Sequence, residues 1–311
     1  MTAPTLPRTI SVPDFDALHD DLPAWRGLLE SLAAEHSAEP VLQMSAGTVL
    51  VALLGKTLAL KLYPPFLRDH FEFECALLAR FCGRFGGRFD GRLQVPTPVL
   101  LKTGEREGWP WLLMSQLAGE PLTAAWPALS EPAKRELLST LGALAAEVHA
   151  MPVADMARHA PVWADFLVAQ RARCHGRQQR TGLPPHLLQQ LDAFVQGDVP
   201  DGPHVILTGE FTPMNLLARD GRLCGMFDFG DGLVGPREYD WLGPMAFLAA
   251  GHPGRCRAFM DGYGVVLGSP QRLSLLRLLL LHRYSNLQAQ IAMPGWQQAE
   301  SFEALAPLIW P

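Results

Sequence analysis

Closely spaced cysteine pairs, a long apolar run and a strong charge of either sign are all missing from this sequence. Each absence removes a class of protein. The five cysteines, Cys75, Cys82, Cys174, Cys224 and Cys256, are odd in number and scattered. They offer neither a disulfide framework nor zinc-ligand spacing, and they read as reduced packing residues. The longest apolar stretch, "LSLLRLLLLH" from Leu273 to His282, is interrupted by Arg277 and is too short to span a bilayer. The opening "MTAPTLPRTISVPDFD" lacks the apolar core of a signal peptide, so the expectation is a soluble, cytoplasmic protein. A net charge of −5 favours neither nucleic acid nor an anionic membrane as partner. There is no G-x-S-x-G elbow for a serine hydrolase, no internal repeat and no low-complexity tract.

What is present suits a globular chain. Hydrophobic residues make up 48% and charged residues 18% of 311 positions, enough for one large domain or two lobes. Residues 14–36 read as one helix, with Leu18, Leu22, Trp25, Leu28, Leu29 and Leu32 on one face. Strands follow around Val49–Val51 and Leu58–Leu62, then a helix over "RDHFEFECALLARFCGRF". After the turn "GGRFDGR", "VPTPVLLKTG" and "WPWLLMSQLAG" add two strands. From Ser130, an N-cap with Pro132 in the first turn, the pattern turns helical. Helices are expected at 131–151, 164–173, 185–196, 239–248, 255–263 and 272–291. "HVIL" and "LCGMFDF" read as short strands, and the basic "RARCHGRQQRTGLPP" as a solvated loop. The fold class is therefore α+β and bilobal. A small β-rich N-lobe with a leading helix spans 1–117, and a mainly helical C-lobe spans 118–311.

One segment concentrates polar groups. "LTGEFTPMNLLARDGRLCGMFDFGDG" places Glu210 and Asn215 on one loop and Asp228 after a short apolar strand. A carboxylate to orient a hydroxyl, oxygen ligands for a hard cation and a lysine for phosphates are what phosphoryl transfer asks of a protein. Lys61 lies in the strand "LALKLY", and the next helix offers Glu74 or Glu72 as its partner. Asp231 reads as a second metal-site acid or a turn residue; the bland alternatives elsewhere are a snorkelling surface lysine at Lys61 and a structural brace at Asp240. His149, His204, His252 and His282 lie in or beside apolar runs and read as packing or capping residues. Trp109, Trp111, Trp126, Trp163 and Trp241 read mostly as core, with one or two open to lining a substrate cleft in the helical lobe.

In order and spacing these motifs resemble the aminoglycoside phosphotransferase family, which has the protein-kinase-like fold. "TGEFTPMN" stands where that family reads H-G-D-x-x-x-x-N, "MFDFGDG" at its metal motif, and "GPREYDWL" at its G-D-P-x-Y-D-L. Through "WPWLLMSQLAG", the Lys61 strand and "VHAMPV", the chain looks most similar to hygromycin B phosphotransferases. The resemblance implies Glu210 as catalytic base, Asn215 and Asp228 as Mg²⁺ ligands, and Lys61 with Glu74 at the phosphates. It implies a phosphate-covering loop at Ser45, Gly47 and Thr48, and backbone contacts to adenine near Ser115, Gln116 and Leu117. Asp240 would brace the catalytic loop.

The expected co-substrate is ATP or GTP with Mg²⁺, bound in the cleft of the two lobes. The expected acceptor is a hydroxyl of an aminoglycoside or aminocyclitol such as hygromycin B, contacted by acids among Asp155, Asp165, Asp261, Glu300 and Glu303. A small-metabolite kinase and a nucleotide-binding pseudokinase are the alternatives. The protein is expected to be a monomer or small homo-oligomer. Two departures stand out: Thr208 replaces the family's histidine, and Glu210 replaces its aspartate.

Overall fold

The structure is a computed structural model, and it describes residues 6, 10–19, 21–81 and 93–311. The chain divides into two compact units: Met1–Arg92 with Pro96–Ala118, and Leu93–Val95 with Gly119–Pro311. The expected turn "GGRFDGR", the last residues of the helix before it and Cys82 lie outside the described residues.

The first unit begins with helices α1 (Val12–His19) and α2 (Leu22–Ala34). The single helix expected over 14–36 is thus two. Pro23 cannot sit inside a helix, because it lacks the N–H and its ring clashes with the preceding turn. It is instead at home in the first turn of α2, after Asp21. Trp25, Leu28, Leu29 and Leu32 are buried at i, i+3, i+4 and i+7.

Five antiparallel strands follow: β1 (Val41–Ala46), β2 (Leu50–Leu54), β3 (Leu58–Leu62), β4 (Leu100–Arg106) and β5 (Trp109–Ser115). Their order is β1-β2-β3-β5-β4. One face packs Leu50, Ala52, Leu54, Leu60, Leu62, Trp109, Trp111 and Leu113 against α2 residues in a single core cluster. The two-residue period of β3 then turns Lys61 to the opposite face. Helix α3 (Arg68–Phe81), which follows β3, buries Phe73, Glu74, Leu77, Leu78 and Phe81.

The second unit starts with β6 (Glu120–Pro121), α4 (Leu122–Ala125) and α5 (Glu131–His149), whose N-cap Ser130 accepts from Ala133 N. Helices α6 (Trp163–Arg180) and α7 (Pro185–Val195) come next. The "RARCHGRQQR" stretch is helix, not loop. Arg and Gln are good helix formers, and the face Gln170, Cys174, Gln178 is buried. Arg171 donates to Val195 O, and Arg177 to Leu280 O and Arg283 O.

Then come strands β7 (His204–Leu207), β8 (Leu216–Arg219), β9 (Arg222–Met226) and β10 (Leu233–Pro236). β7 pairs with β10, and β8 with β9, both antiparallel. The β8–β9 turn holds Asp220 at φ 51° and Gly221 at φ 75°. Two successive positive φ values are the geometry that an Asp-Gly hairpin supplies.

Helices α8 (Glu238–Phe247), α9 (Pro253–Tyr263), α10 (Ser269–Leu281), α11 (Leu287–Gln290) and α12 (Phe302–Ile309) complete the unit. Helices α5 and α9 meet through glycine: a Cβ on Gly142 would lie 2.1 Å from Phe259 O, and one on Gly262 2.0 Å from Ser139 O. The expected helix over 272–291 breaks at His282, whose ψ of 143° turns the chain out of α10. Among the described residues, no single helix is long and apolar enough to cross a membrane.

Candidate active site

Strand β7 ends at Leu207 and delivers the chain to Thr208, Gly209 and Glu210. Gly209 sits at φ 85°, and a Cβ there would come within 2.0 Å of Asp231 O. A side chain is excluded both by conformation and by space. The loop is pinned from below by Asp240. Its Oδ2 accepts from Thr208 N at 2.8 Å and from Thr208 Oγ1 at 3.1 Å, and its Oδ1 from Gly209 N at 3.1 Å. Asp240 lies in the first turn of α8, but the helix N-cap is Arg237. The carboxylate therefore serves the loop rather than its own helix.

His149 at the end of α5 completes this brace. Its Nε2 lies 3.2 Å from Asp240 Oδ2 and its Nδ1 2.8 Å from Tyr263 OH. Thr208, standing where the family has histidine, thus contributes both an amide and a hydroxyl to the brace.

After Glu210 a single 3₁₀ turn, Pro213–Asn215, carries the chain into β8. Asn215 Nδ2 donates to Glu210 O at 3.2 Å, and Phe227 N donates to Asn215 O at 3.1 Å. The second bond ties the end of β9 to Asn215 and so sets Asp228 beside it in the chain path. Asp228 adopts φ 68°, a left-handed conformation that Asp tolerates better than most residues.

Burial raises the Glu210 carboxyl to about 7, and the negative charges of Asp231 and Asp228 push in the same direction. A hydrogen bond from Asn215 and the charge of Arg283 work against this. The acids after β7 and β9 therefore feel one another, and a bound cation would relieve that repulsion. Among the described residues, no three His, Cys, Asp or Glu side chains converge on a ready-made metal cage. The oxygen donors of Asp228 and Asn215 are instead the sparse set that suits Mg²⁺, which keeps several waters and takes its remaining ligands from phosphate.

In the first unit Lys61 Nζ lies 2.7 Å and 2.9 Å from the two Glu74 carboxylate oxygens, and Tyr63 OH donates to the same carboxylate. Lys61 is 3% and Glu74 0% exposed. The partner of Lys61 is thus Glu74; Glu72 is exposed. Ser45 ends near the β1–β2 turn with Gly47 and Thr48, and Gly47 N donates to Val49 O. A Cβ on Gly47 would meet nothing within 4 Å, so the glycine is not forced by packing. At the end of β5, Ser115 N donates to Val99 O, Ser115 Oγ accepts from Val99 N, and Gln116 N donates to Thr57 O. These two amides are therefore spent within the sheet. Any adenine edge would have to use the remaining backbone groups, with Leu117 half-buried beside them.

The candidate substrate acids lie on different elements, with Glu300 in the segment before α12. Asp155 pairs with Arg158, Asp165 lies in the first turn of α6 and Glu303 in that of α12. Asp261 lines a cavity of about 350 Å³ with Arg257 and Arg272.

Sequence reading missed His149 and His282 as partners of the loop at 208–210. His282 lies at the end of α10; its Nε2 is 3.3 Å from Gly209 O, and its Nδ1 accepts from Tyr284 N at 3.2 Å. Burial lowers its pKa from 6.5 to about 4. Arg283 and Arg177 add to the lowering, while the Gly209 carbonyl and Asp231 oppose it. The unfolded chain takes up this proton near pH 6.5 and the folded one only near 4, so stability falls as pH drops through that window. Urea unfolding between pH 7 and 4 should show the wild type losing about 1.4 kcal/mol per pH unit relative to His282→Gln, which has no proton to gain. Equal slopes would contradict a buried neutral imidazole.

Known structures share this architecture. The streptomycin–ATP ternary complex of APH(2″)-IIa matches at 17% identity, covering 81% of this chain and 86% of that one, with a TM-score of 0.57. Aminoglycoside-3′-phosphotransferase of type VIII matches at 18%, covering 82% and 97%, with a TM-score of 0.57. Macrolide 2′-phosphotransferase MphH from Brachybacterium faecium matches at 19%, covering 85% and 98%, with a TM-score of 0.52. At these identities the likeness shows the fold, which is kinase-like. No curated protein matches the chain significantly. The model of the phosphotransferase enzyme family APH matches residues 38–274, well over half of the sequence. With "TGEFTPMN" and "MFDFGDG" both inside that match, the chain belongs to the APH phosphotransferase enzyme family.

Proposed function

We propose that this protein transfers the γ-phosphoryl group of ATP or GTP, bound with Mg²⁺, to a hydroxyl of a small antibiotic-type acceptor. An aminoglycoside or aminocyclitol such as hygromycin B is the first choice. The observation that carries the reading is the loop at Glu210, pinned by Asp240 through three hydrogen bonds and followed by Asn215 and Asp228. The region 1–117 is assigned nucleotide binding, and 118–311 the catalytic loop and acceptor.

In this reading Glu210 accepts a hydrogen bond from the acceptor hydroxyl, orients its oxygen and takes its proton late in the transfer. A carboxyl held at about 7 is a better proton acceptor than an ordinary glutamate, and general bases work best near the operating pH. Asn215 and Asp228 would hold Mg²⁺, which supplies charge neutralisation at the phosphate oxygens. Lys61, fixed by Glu74 and Tyr63, would present its ammonium to the nucleotide phosphates. Ser45, Gly47 and Thr48 would cover those phosphates.

A second acceptor class has one observation in its favour. Asp231 is already paired with Arg283 and bonded by Tyr284, and Arg283 adds positive charge near Glu210. That arrangement suits an acceptor with few amines, such as the macrolide in the name of one similar enzyme. Mass spectrometry of acceptor panels with Mg·ATP and Mg·GTP separates the readings. Phosphorylated aminoglycoside is the expected result, and phosphorylated macrolide alone would move the assignment to the second class. Transfer only to amino sugars or choline-like alcohols added to the panel would overturn the proposal in favour of a small-metabolite kinase, and nucleotide binding with no transfer to any member in favour of a nucleotide-binding pseudokinase.

A further inference from the structure

The three residues after α10 are spent on the catalytic segment. The His282 ring stacks on Tyr239 with centroids 4.7 Å apart and 21° between planes. Because Nδ1 accepts from Tyr284 N, Nε2 carries the proton and donates to Gly209 O. Arg283 pairs through Nη1 with Asp231 Oδ1, and Tyr284 OH donates to the same oxygen at 3.0 Å. Arg283 N in turn donates to Tyr239 OH at 3.3 Å.

Gly209 and Asp231 are not two distant anchor points. Their backbones touch, so closely that a Cβ on Gly209 would lie 2.0 Å from Asp231 O. The tripeptide therefore grips both sides of the contact between the Glu210 loop and the turn after Asp228. Its own footing is firm. Arg177 of α6 donates to Leu280 O at 3.0 Å and Arg283 O at 3.3 Å, and Gln178 donates to Ser285 Oγ at 2.7 Å.

We propose that His282, Arg283 and Tyr284 form a clamp that positions Glu210 by holding Gly209 and Asp231 against each other. None of the three is a catalytic residue; they act through the loop. This inference rests on the reading of Glu210 as base for its kinetic consequence, but not for its structural one. A clamp at this point explains why α10 breaks at His282 instead of running on into α11. It also gives the loop a second tether, independent of the one from Asp240.

Two variants separate positioning from packing. His282→Phe keeps a ring against Tyr239 and removes the donor to Gly209; His282→Gln returns a donor of similar reach. Hydrogen–deuterium exchange over residues 208–215 should be at least about tenfold faster in His282→Phe and close to wild type in His282→Gln. On any acceptor the wild type phosphorylates, kcat should fall by about 10- to 100-fold in His282→Phe, with the nucleotide KM within about twofold, and recover in His282→Gln. Wild-type exchange and kcat in His282→Phe would overturn the clamp, as would equal losses in both variants that track their fall in Tm. If the wild type phosphorylates no acceptor, the exchange arm still decides. Faster exchange confined to His282→Phe supports the clamp while the functional reading fails, and unchanged exchange overturns the clamp itself.

Discussion

Glu210→Gln slows phosphoryl transfer by about 10³-fold, while nucleotide affinity stays within about twofold of the wild type. Glutamine has the shape of glutamate but neither its charge nor its basicity. The substitution thus removes proton acceptance and leaves the loop in place. The loop has independent anchors in Asp240 and His282, so its backbone does not depend on the Glu210 carboxylate. Removing one negative charge from the neighbourhood of Asp231 and Asp228 also relieves repulsion there. The folded state should lose no stability. Steady-state kinetics paired with calorimetric nucleotide titration checks both halves. A variant within about tenfold of the wild-type rate would move the base role elsewhere, because general bases contribute about 10²–10⁴.

Glu74→Ala unfolds or nearly unfolds the first unit, with an expected loss of about 3–5 kcal/mol. The reason is the asymmetry of a buried ion pair. With Glu74 gone, the Lys61 ammonium, at 3% exposure, loses both hydrogen bonds to that carboxylate. The bond from Tyr63 OH to the same carboxylate goes with it. Lys61→Met combined with Glu74→Leu removes both charges and should recover most of the loss, since apolar replacement of a whole buried pair is often neutral. The double variant would fold and still fail to transfer phosphate, which separates stability from function. Urea unfolding of Lys61→Met, Glu74→Leu and the double variant closes the cycle and gives the coupling. A single variant as stable as wild type would contradict the burial of the pair.

What the sequence revealed and what it hid follow from the range of the interactions. Lys61 and Glu74 are 13 residues apart, on a strand and the helix after it, and Asn215 is five residues from Glu210. Such local spacings carry their geometry with them. The brace between His149 and Asp240 spans 91 residues, and that from His282 to Gly209 spans 73. Hydrophobic periodicity says which face of a helix is buried, but not which polar group it meets across the core. His282 was hidden further by its setting. It closes the run "LLLLH" with no glycine or proline to announce that α10 stops there.

The split of residues 14–36 into α1 and α2 is different, because Pro23 was a visible signal that the apolar face outweighed. In α6 the density of charge suggested a solvated loop. Yet Arg171 and Arg177 spend their guanidinium groups on backbone carbonyls of neighbouring segments. Family likeness supplied the kinase-like fold and the candidate residues of the site. It did not supply an acceptor-binding surface, because the acids suggested for that task are spread over several helices.

The sharpest question is whether glutamate at position 210 is an adapted base or a defect. The backbone just before Glu210 is held by Asp240, by the Gly209–Asp231 contact and by His282, and the Glu210 carbonyl accepts from Asn215 Nδ2, so a shorter side chain cannot be followed by the loop. Glu210→Asp would withdraw the carboxylate by about one bond length, and a misplacement of that order costs roughly 10²-fold in rate. The decisive measurement is the single-turnover rate of γ-phosphoryl transfer for wild type and Glu210→Asp on the same acceptor with saturating Mg·nucleotide. A rate lower by about 10- to 100-fold in the aspartate variant is the expected result. A Glu210→Asp variant about tenfold faster than wild type would contradict it and show that the natural loop is impaired.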